Sequence, residues 1–138
     1  MWILVVFTGF GAITPLGSDV ATAWAALRAG VSGANPITKV DASTFPVKFA
    51  CEVKDFDPHA YMDRKEAKRA DLFTQYAVAT AVQAMRDAKP EGTTANDPNR
   101  IALIVGSGSG GLATMEQQND PESDQRHSTI HTFFLTNL

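Results

Sequence analysis

Two uninterrupted apolar runs, WILVVF at residues 2–7 and IALIV at residues 101–105, constrain the fold of this chain more than any other feature. A strand with one face in water alternates apolar and polar side chains, whereas a strand apolar at every position needs cover on both faces. The two runs therefore predict central strands of a layered α/β structure with helices packed over the sheet. Both lead into glycine-rich turns, TGFG after the first and GSGSGG after the second. Glycine lets a backbone turn sharply off a buried strand and pack closely on a neighbour.

Three segments supply candidate helices. Ser18 is placed to cap a helix through DVATAWAALRAG, with Asp19 in its first turn, Gly30 just past its end, and Val20, Trp24 and Leu27 on its inner face. In FDPHAYMDRKEAKR a loop runs into a helix at which Asp63 and Glu66 have capping-box spacing. The segment DLFTQYAVATAVQAMRDAK carries Phe73, Ala77, Ala81, Ala84 and Ala88 at helical spacing, a stripe of small residues that another backbone can approach closely. This helix is expected in the interior. Between the first two helices, Gly33, Pro36 and Pro46 punctuate a mixed stretch in which VKFACEV reads as a short strand. KPEGTTANDPNR and QQNDPESDQRHSTIH read as polar loops.

The second glycine turn has Gly106, Gly108 and Gly111 at G-x-G-x-x-G spacing between a strand and a helix start, so dinucleotide binding is the first function to weigh. That fingerprint needs an acidic residue at the end of the next strand, about 20 residues on, to hold a ribose. Asp120 and Asp124 lie near that distance but sit in QQNDPESDQR, which has a proline and almost no apolar residue. The pattern favours a packing turn over a nucleotide loop.

Composition narrows the alternatives. The chain has 138 residues, 44% hydrophobic and 20% charged, the size and make-up of one globular domain. A net charge of −3 offers no general attraction to nucleic acid or anionic membrane, so an anionic partner needs a local basic patch. The opening apolar run is too short to span a membrane and lacks the basic start of a signal peptide. Cys51 is the single cysteine, which precludes an intrachain disulfide and is expected to be a packed thiol. His59, His127 and His131 show no metal-ligand spacing and read as solvated loop histidines. Arg64, Lys65, Lys68 and Arg69 fall within two helical turns; charge alone reads them as a solvated helix face.

VVFTGFGAITPLG, the long segment PITKVDASTFPVKFACEVKDFDPHAYMDRKEAKRADLFTQYA, and RIALIVGSGSGGL followed by TFF together resemble the amino-terminal part of the type II β-ketoacyl-acyl-carrier-protein synthases. The resemblance implies an incomplete portion of the thiolase-like αβαβα fold: residues 1–138 as a partial amino-terminal domain, with no second domain and a homodimer in the full-length family. It implies an acyltransferase that condenses an acyl thioester with malonyl-acyl carrier protein, with loss of carbon dioxide, and needs no cofactor or metal. The nucleophilic cysteine, two histidines and a lysine of such enzymes belong to motifs absent from these residues, so the chain is expected to be an inactive fragment. Cys51 stands where relatives usually have glycine.

The family's second glycine loop turns near the acyl pocket, which assigns Gly106, Gly108, Ser109, Gly110 and Gly111 to that pocket together with Phe133 and Phe134. Lys65, Lys68 and Arg69 match a basic surface that docks the acidic carrier protein bearing acyl or malonyl groups. Arg126 stands in a second docking patch that departs from the family pattern. No nucleic acid and no membrane span is implied; the expected location is a bacterial cytoplasm, or an organelle stroma or matrix. Two alternatives stay open: a non-catalytic, chain-length-type partner of an active synthase, and a nucleotide-binding module built on the glycine loop.

Overall fold

In a computed structural model the described residues are 4–89, 97, 99, 101–112, 114 and 115. The chain forms helix α1 (Val20–Arg28), a small antiparallel pair of β1 (Asn35–Pro36) with β2 (Phe49–Ala50), a 3-10 turn at Pro58–Ala60, and helices α2 (Arg64–Arg69) and α3 (Leu72–Ala88).

Local chemistry accounts for the helix ends. Asp19, not Ser18, is the N-cap of α1: its carboxylate accepts the Thr22 amide at 2.8 Å. An Asp and a Ser side by side are both competent caps, and the backbone turns extended at Asp19. The other end closes as expected. Gly30 has φ +70°, its N–H donates to Leu27 O, and the Val31 N–H donates to Ala26 O, which together satisfy carbonyls that the helix leaves free. Asp63 caps α2 by accepting the amides of Lys65 at 2.8 Å and Glu66 at 2.7 Å.

The expected strand in VKFACEV is β2, which pairs Ala50 with Asn35 and Phe49 with Pro36. Residues 4–7 and 101–105 depart from expectation. Among the described residues neither run joins a ladder, and Phe7 and Ile104 are 90% and 94% exposed. A strand exists only through the hydrogen bonds of a neighbour, and among the described residues neither run makes any such bond. Trp2 and Ile3 lie outside the described residues.

Helix α3 organises what packing there is. Its neighbour is the chain from Gly9 to Ser18, and the approach is close enough to exclude side chains: a Cβ at Gly9 would fall 2.5 Å from Ala88 N, and one at Gly11 would overlap Thr80 O. Ala84 and Ala88 of the small-residue stripe thus meet a backbone, as their size predicts. Two side chains on the same side of α3 hold that backbone by hydrogen bonds. Asp87 accepts the Phe10 amide at 3.0 Å and Gln83 accepts that of Ala12 at 3.0 Å. The amide nitrogen of Gln83 also donates to Ser18 O (2.7 Å) and to the Tyr61 hydroxyl (2.9 Å).

Phe56 ties the 3-10 turn to α3 through an offset stack on Tyr61, centroids 6.2 Å apart, and an edge contact to Tyr76 at 4.9 Å. Burial holds the Tyr76 phenol above its ordinary pKa. Helix α3 is less interior than its stripe predicts, since among the described residues only Ala67 and Ala79 are buried apolar side chains, and Ala79 is not on the stripe. Val20, Trp24 and Leu27 of α1 line an apolar cleft with Pro15 and Leu16 but are 40 to 59% exposed, so this inner face is only partly covered.

Candidate functional site

The basic helix and the second glycine loop are the two regions to which the resemblance assigns function, and both adjoin the start of α3. Helix α2 has six residues, held by the Asp63 cap at one end. At the other end Gln75, from the first turn of α3, donates to the carbonyls of Ala67 and Ala70, both at 2.9 Å. One side packs through buried Ala67. At 3.6 residues per turn, Lys65, Lys68 and Arg69 fall within an arc of about 100° away from Ala67, and all three are exposed. Glu66 in the first turn and Lys68 and Arg69 in the last also suit the helix dipole. The result is a short rigid rod presenting three cations.

In the glycine loop, Gly106 and Gly108 have open space where a side chain would stand, and Gly110 takes φ +64°, a conformation that favours glycine. The Ser107 hydroxyl accepts the Gly110 amide at 3.1 Å and closes the turn. Ser109 is exposed. Gly106 and Ser107 border a groove whose far wall is α3 from Phe73 to Ala84. Gly111 differs from its neighbours because its α-carbon faces the Asp71 carboxylate: a Cβ there would lie 2.8 Å from Asp71 Cγ. Asp71 also accepts a hydrogen bond from the Thr114 hydroxyl.

Asp71 was not legible as a site residue. Its place before an apolar-periodic segment marks it as a cap, yet its side chain makes no capping bond and reaches the loop instead. Gln83 was equally hidden, since nothing in its spacing distinguishes a hydrogen-bonding hub from a surface glutamine.

Two further expectations have clear outcomes. Cys51 is exposed, not packed: it follows β2 and opens onto the cleft lined by Pro15, Leu16 and Trp24. The two-residue ladder ends before Cys51, so no neighbouring strand covers it. His59 is exposed on the 3-10 turn, where its amide donates to Asp57. Phe133, Phe134, Arg126, His127 and His131 lie outside the described residues. Among the described residues no three histidine, cysteine or carboxylate side chains gather as a metal site, and no helix is long and apolar enough to cross a membrane.

Comparison with known proteins agrees with the resemblance. The family model of the β-ketoacyl synthase N-terminal domain matches residues 4–137. A 3-oxoacyl-[acyl-carrier-protein] synthase 2 of Coxiella burnetii is 42% identical over 95% of this chain and 31% of its own length. A protein of the same name from Staphylococcus aureus is 39% identical over 99% of this chain and 33% of its own. The chain thus spans about a third of the length of these relatives. Among solved structures, the ishigamide ketosynthase/chain length factor superposes with a TM-score of 0.65 and 35% identity, covering 82% of this chain and 28% of that one. The fold is therefore an incomplete thiolase-like α/β arrangement. Matched along almost all of its sequence, the chain belongs to the β-ketoacyl synthase family through that family's N-terminal domain.

Proposed function

We propose that this chain contributes the carrier-docking and acyl-pocket face of a fatty-acid-elongating β-ketoacyl-acyl-carrier-protein synthase. The observation that carries this reading is the exposed triad Lys65, Lys68 and Arg69 on a helix fixed at both ends. Such a patch attracts an acidic protein despite the chain's net charge of −3. Arg126 extends the docking surface in this proposal. Gly106, Gly108, Ser109, Gly110 and Gly111, with Phe133 and Phe134, line the acyl pocket.

The reaction is a decarboxylating Claisen condensation that passes through an acyl thioester on a cysteine. Cys51 and His59 do not supply that machinery in this reading: Cys51 is an exposed free thiol and His59 an exposed residue of the 3-10 turn, and neither belongs to a catalytic motif of the family. The 138-residue chain alone is accordingly expected to form no condensation product from acyl and malonyl thioesters, and product formation above background would overturn this part. The docking part is tested by titrating isotope-labelled acyl carrier protein with the chain. Carrier resonances shift with the native chain, and the triple variant Lys65→Glu, Lys68→Glu, Arg69→Glu abolishes the shifts. Equal shifts with both proteins would refute docking at α2.

The similarity to a ketosynthase/chain length factor structure supports a second reading, a non-catalytic partner of an active synthase. Co-purification with a full-length synthase as a heterodimer would favour it over the homodimer of ordinary synthases. The nucleotide-module reading requires NAD or ATP to raise the unfolding temperature, and no change is expected.

A further inference from the structure

We propose that Asp71 is a positioning residue that fixes the glycine loop to the joint between α2 and α3. Among the described residues four aspartates stand at helix N-caps with extended backbone, and three of them behave alike: Asp19, Asp57 and Asp63 turn their carboxylates onto the first amides of their own helical turns. Asp71 has the same backbone form, φ −60° and ψ 157°, but leaves the amides of α3 without a side-chain cap. Its carboxylate is directed at a segment about forty residues further along the chain. One oxygen accepts the Thr114 hydroxyl, and the other occupies the space beside Gly111 that any larger residue would need.

The loop's own hydrogen bonds continue from that point. The Met115 amide donates to Gly111 O at 3.0 Å and the Leu112 amide to Gly110 O at 3.1 Å, so the turn held by Asp71 is also where the next helical turn begins. On its other side Asp71 follows Ala70, whose carbonyl is held by Gln75. Loop, α3 and the cationic helix α2 therefore meet within a few residues. The functional sense of this joint rests on the reading given above: the loop that would line the acyl pocket takes its position from the helix that would receive the carrier. A carboxylate suits this role because one oxygen can accept the hydroxyl while the other fills the space beside Gly111, and bonds to an ionised acceptor are the stronger ones.

Amide hydrogen exchange of the 138-residue chain tests this directly, with Asp71→Ala, Thr114→Val, Thr114→Ser and Gly111→Ala compared with the native chain. The Leu112 and Met115 amides are expected to be protected in the native chain. Exchange should be about tenfold faster in Asp71→Ala and Thr114→Val, the factor expected for one lost charge-assisted hydrogen bond. Thr114→Ser keeps the hydroxyl and should restore native protection, which a role for Thr114 in packing alone would not allow. Gly111→Ala should behave like Asp71→Ala, because its Cβ displaces the carboxylate. Amides in the middle of α3 should be unchanged throughout. If Asp71→Ala does not fold, the Thr114 pair decides.

Unprotected Leu112 and Met115 amides in the native chain, or equal exchange in Thr114→Val and Thr114→Ser, would overturn the proposal. Failure of the carrier titration with loop protection intact would sink the docking reading while leaving this inference standing.

Discussion

Helix α3 meets two segments of the chain, and the two contacts are built differently. At the first, the backbone from Gly9 to Ser18 lies against the helix with no room for a side chain at Gly9 or Gly11, and Asp87 and Gln83 take up the amides of Phe10 and Ala12. Beside it residues 103–107 face α3 across an open groove that Gly11 also borders, Leu103 and Ile104 are 74% and 94% exposed, and a side chain added at Gly106 or Gly108 would meet nothing. The first contact is made by small residues and directed polar bonds, which are satisfied by one helix alone. The second needs a continuous apolar partner on both faces, and one helix cannot provide that. Glycine is therefore indispensable at Gly9 and Gly11 and dispensable, as far as packing goes, at Gly106 and Gly108.

The largest expected effect comes from breaking the first contact. Gly11→Val drives a branched side chain into Thr80 O and Gln83 and should destabilise the chain by about 3 kcal/mol, whereas Gly108→Ala, in open space, should stay within about 0.5 kcal/mol. Urea unfolding followed by helical circular dichroism measures both, and equal losses would dissolve the contrast. Next is Gln83→Ala, which strips partners from the part-buried Ala12 amide and Tyr61 hydroxyl and from the exposed Ser18 O; about 2 kcal/mol is expected, mainly from the first two. Asp63→Ala should cost about 1 kcal/mol through the lost cap of α2, with the exchange of Leu112 and Met115 unaffected.

Changes at the second contact should scarcely alter stability but should alter association. The native chain, with its apolar runs uncovered, is expected to self-associate in light scattering, and Leu103→Thr with Ile104→Thr to reduce it. Unaltered association would show that these runs are not the adhesive surface.

The smallest effect is in acid. Asp19 is held below the ordinary carboxylate pKa chiefly by the Thr22 amide, and Glu52 chiefly by the Thr38 hydroxyl. A carboxyl whose folded pKa is depressed contributes stability above its unfolded value and loses that contribution as pH falls through the folded one. Stability should therefore decline below about pH 4, and Glu52→Gln should make that decline shallower. An unchanged acid limb in Glu52→Gln would remove Glu52 from the account.

What could be read without coordinates is local. The cap at Asp63, the αL glycine at Gly30, the short strand around Phe49 and the length of α3 all follow from bonds within a few residues of each other, so side-chain chemistry at those positions suffices to place them. The family was equally legible, because a long idiosyncratic segment is more specific than a glycine spacing.

Other features depended on which distant segments meet. The choice between Ser18 and Asp19 turned on the direction in which the backbone enters α1, with Ser18 O held by Gln83 from α3. The exposure of Cys51 turned on where a two-residue ladder stops, and the bare runs at 4–7 and 101–105 on their forming no ladder among the described residues. Asp71 is a residue type favoured at helix caps and stands at the N-cap of α3, yet the tertiary structure aims its side chain elsewhere. Only the fold brings the Thr114 hydroxyl within reach of that carboxylate and sets Gly111 against it.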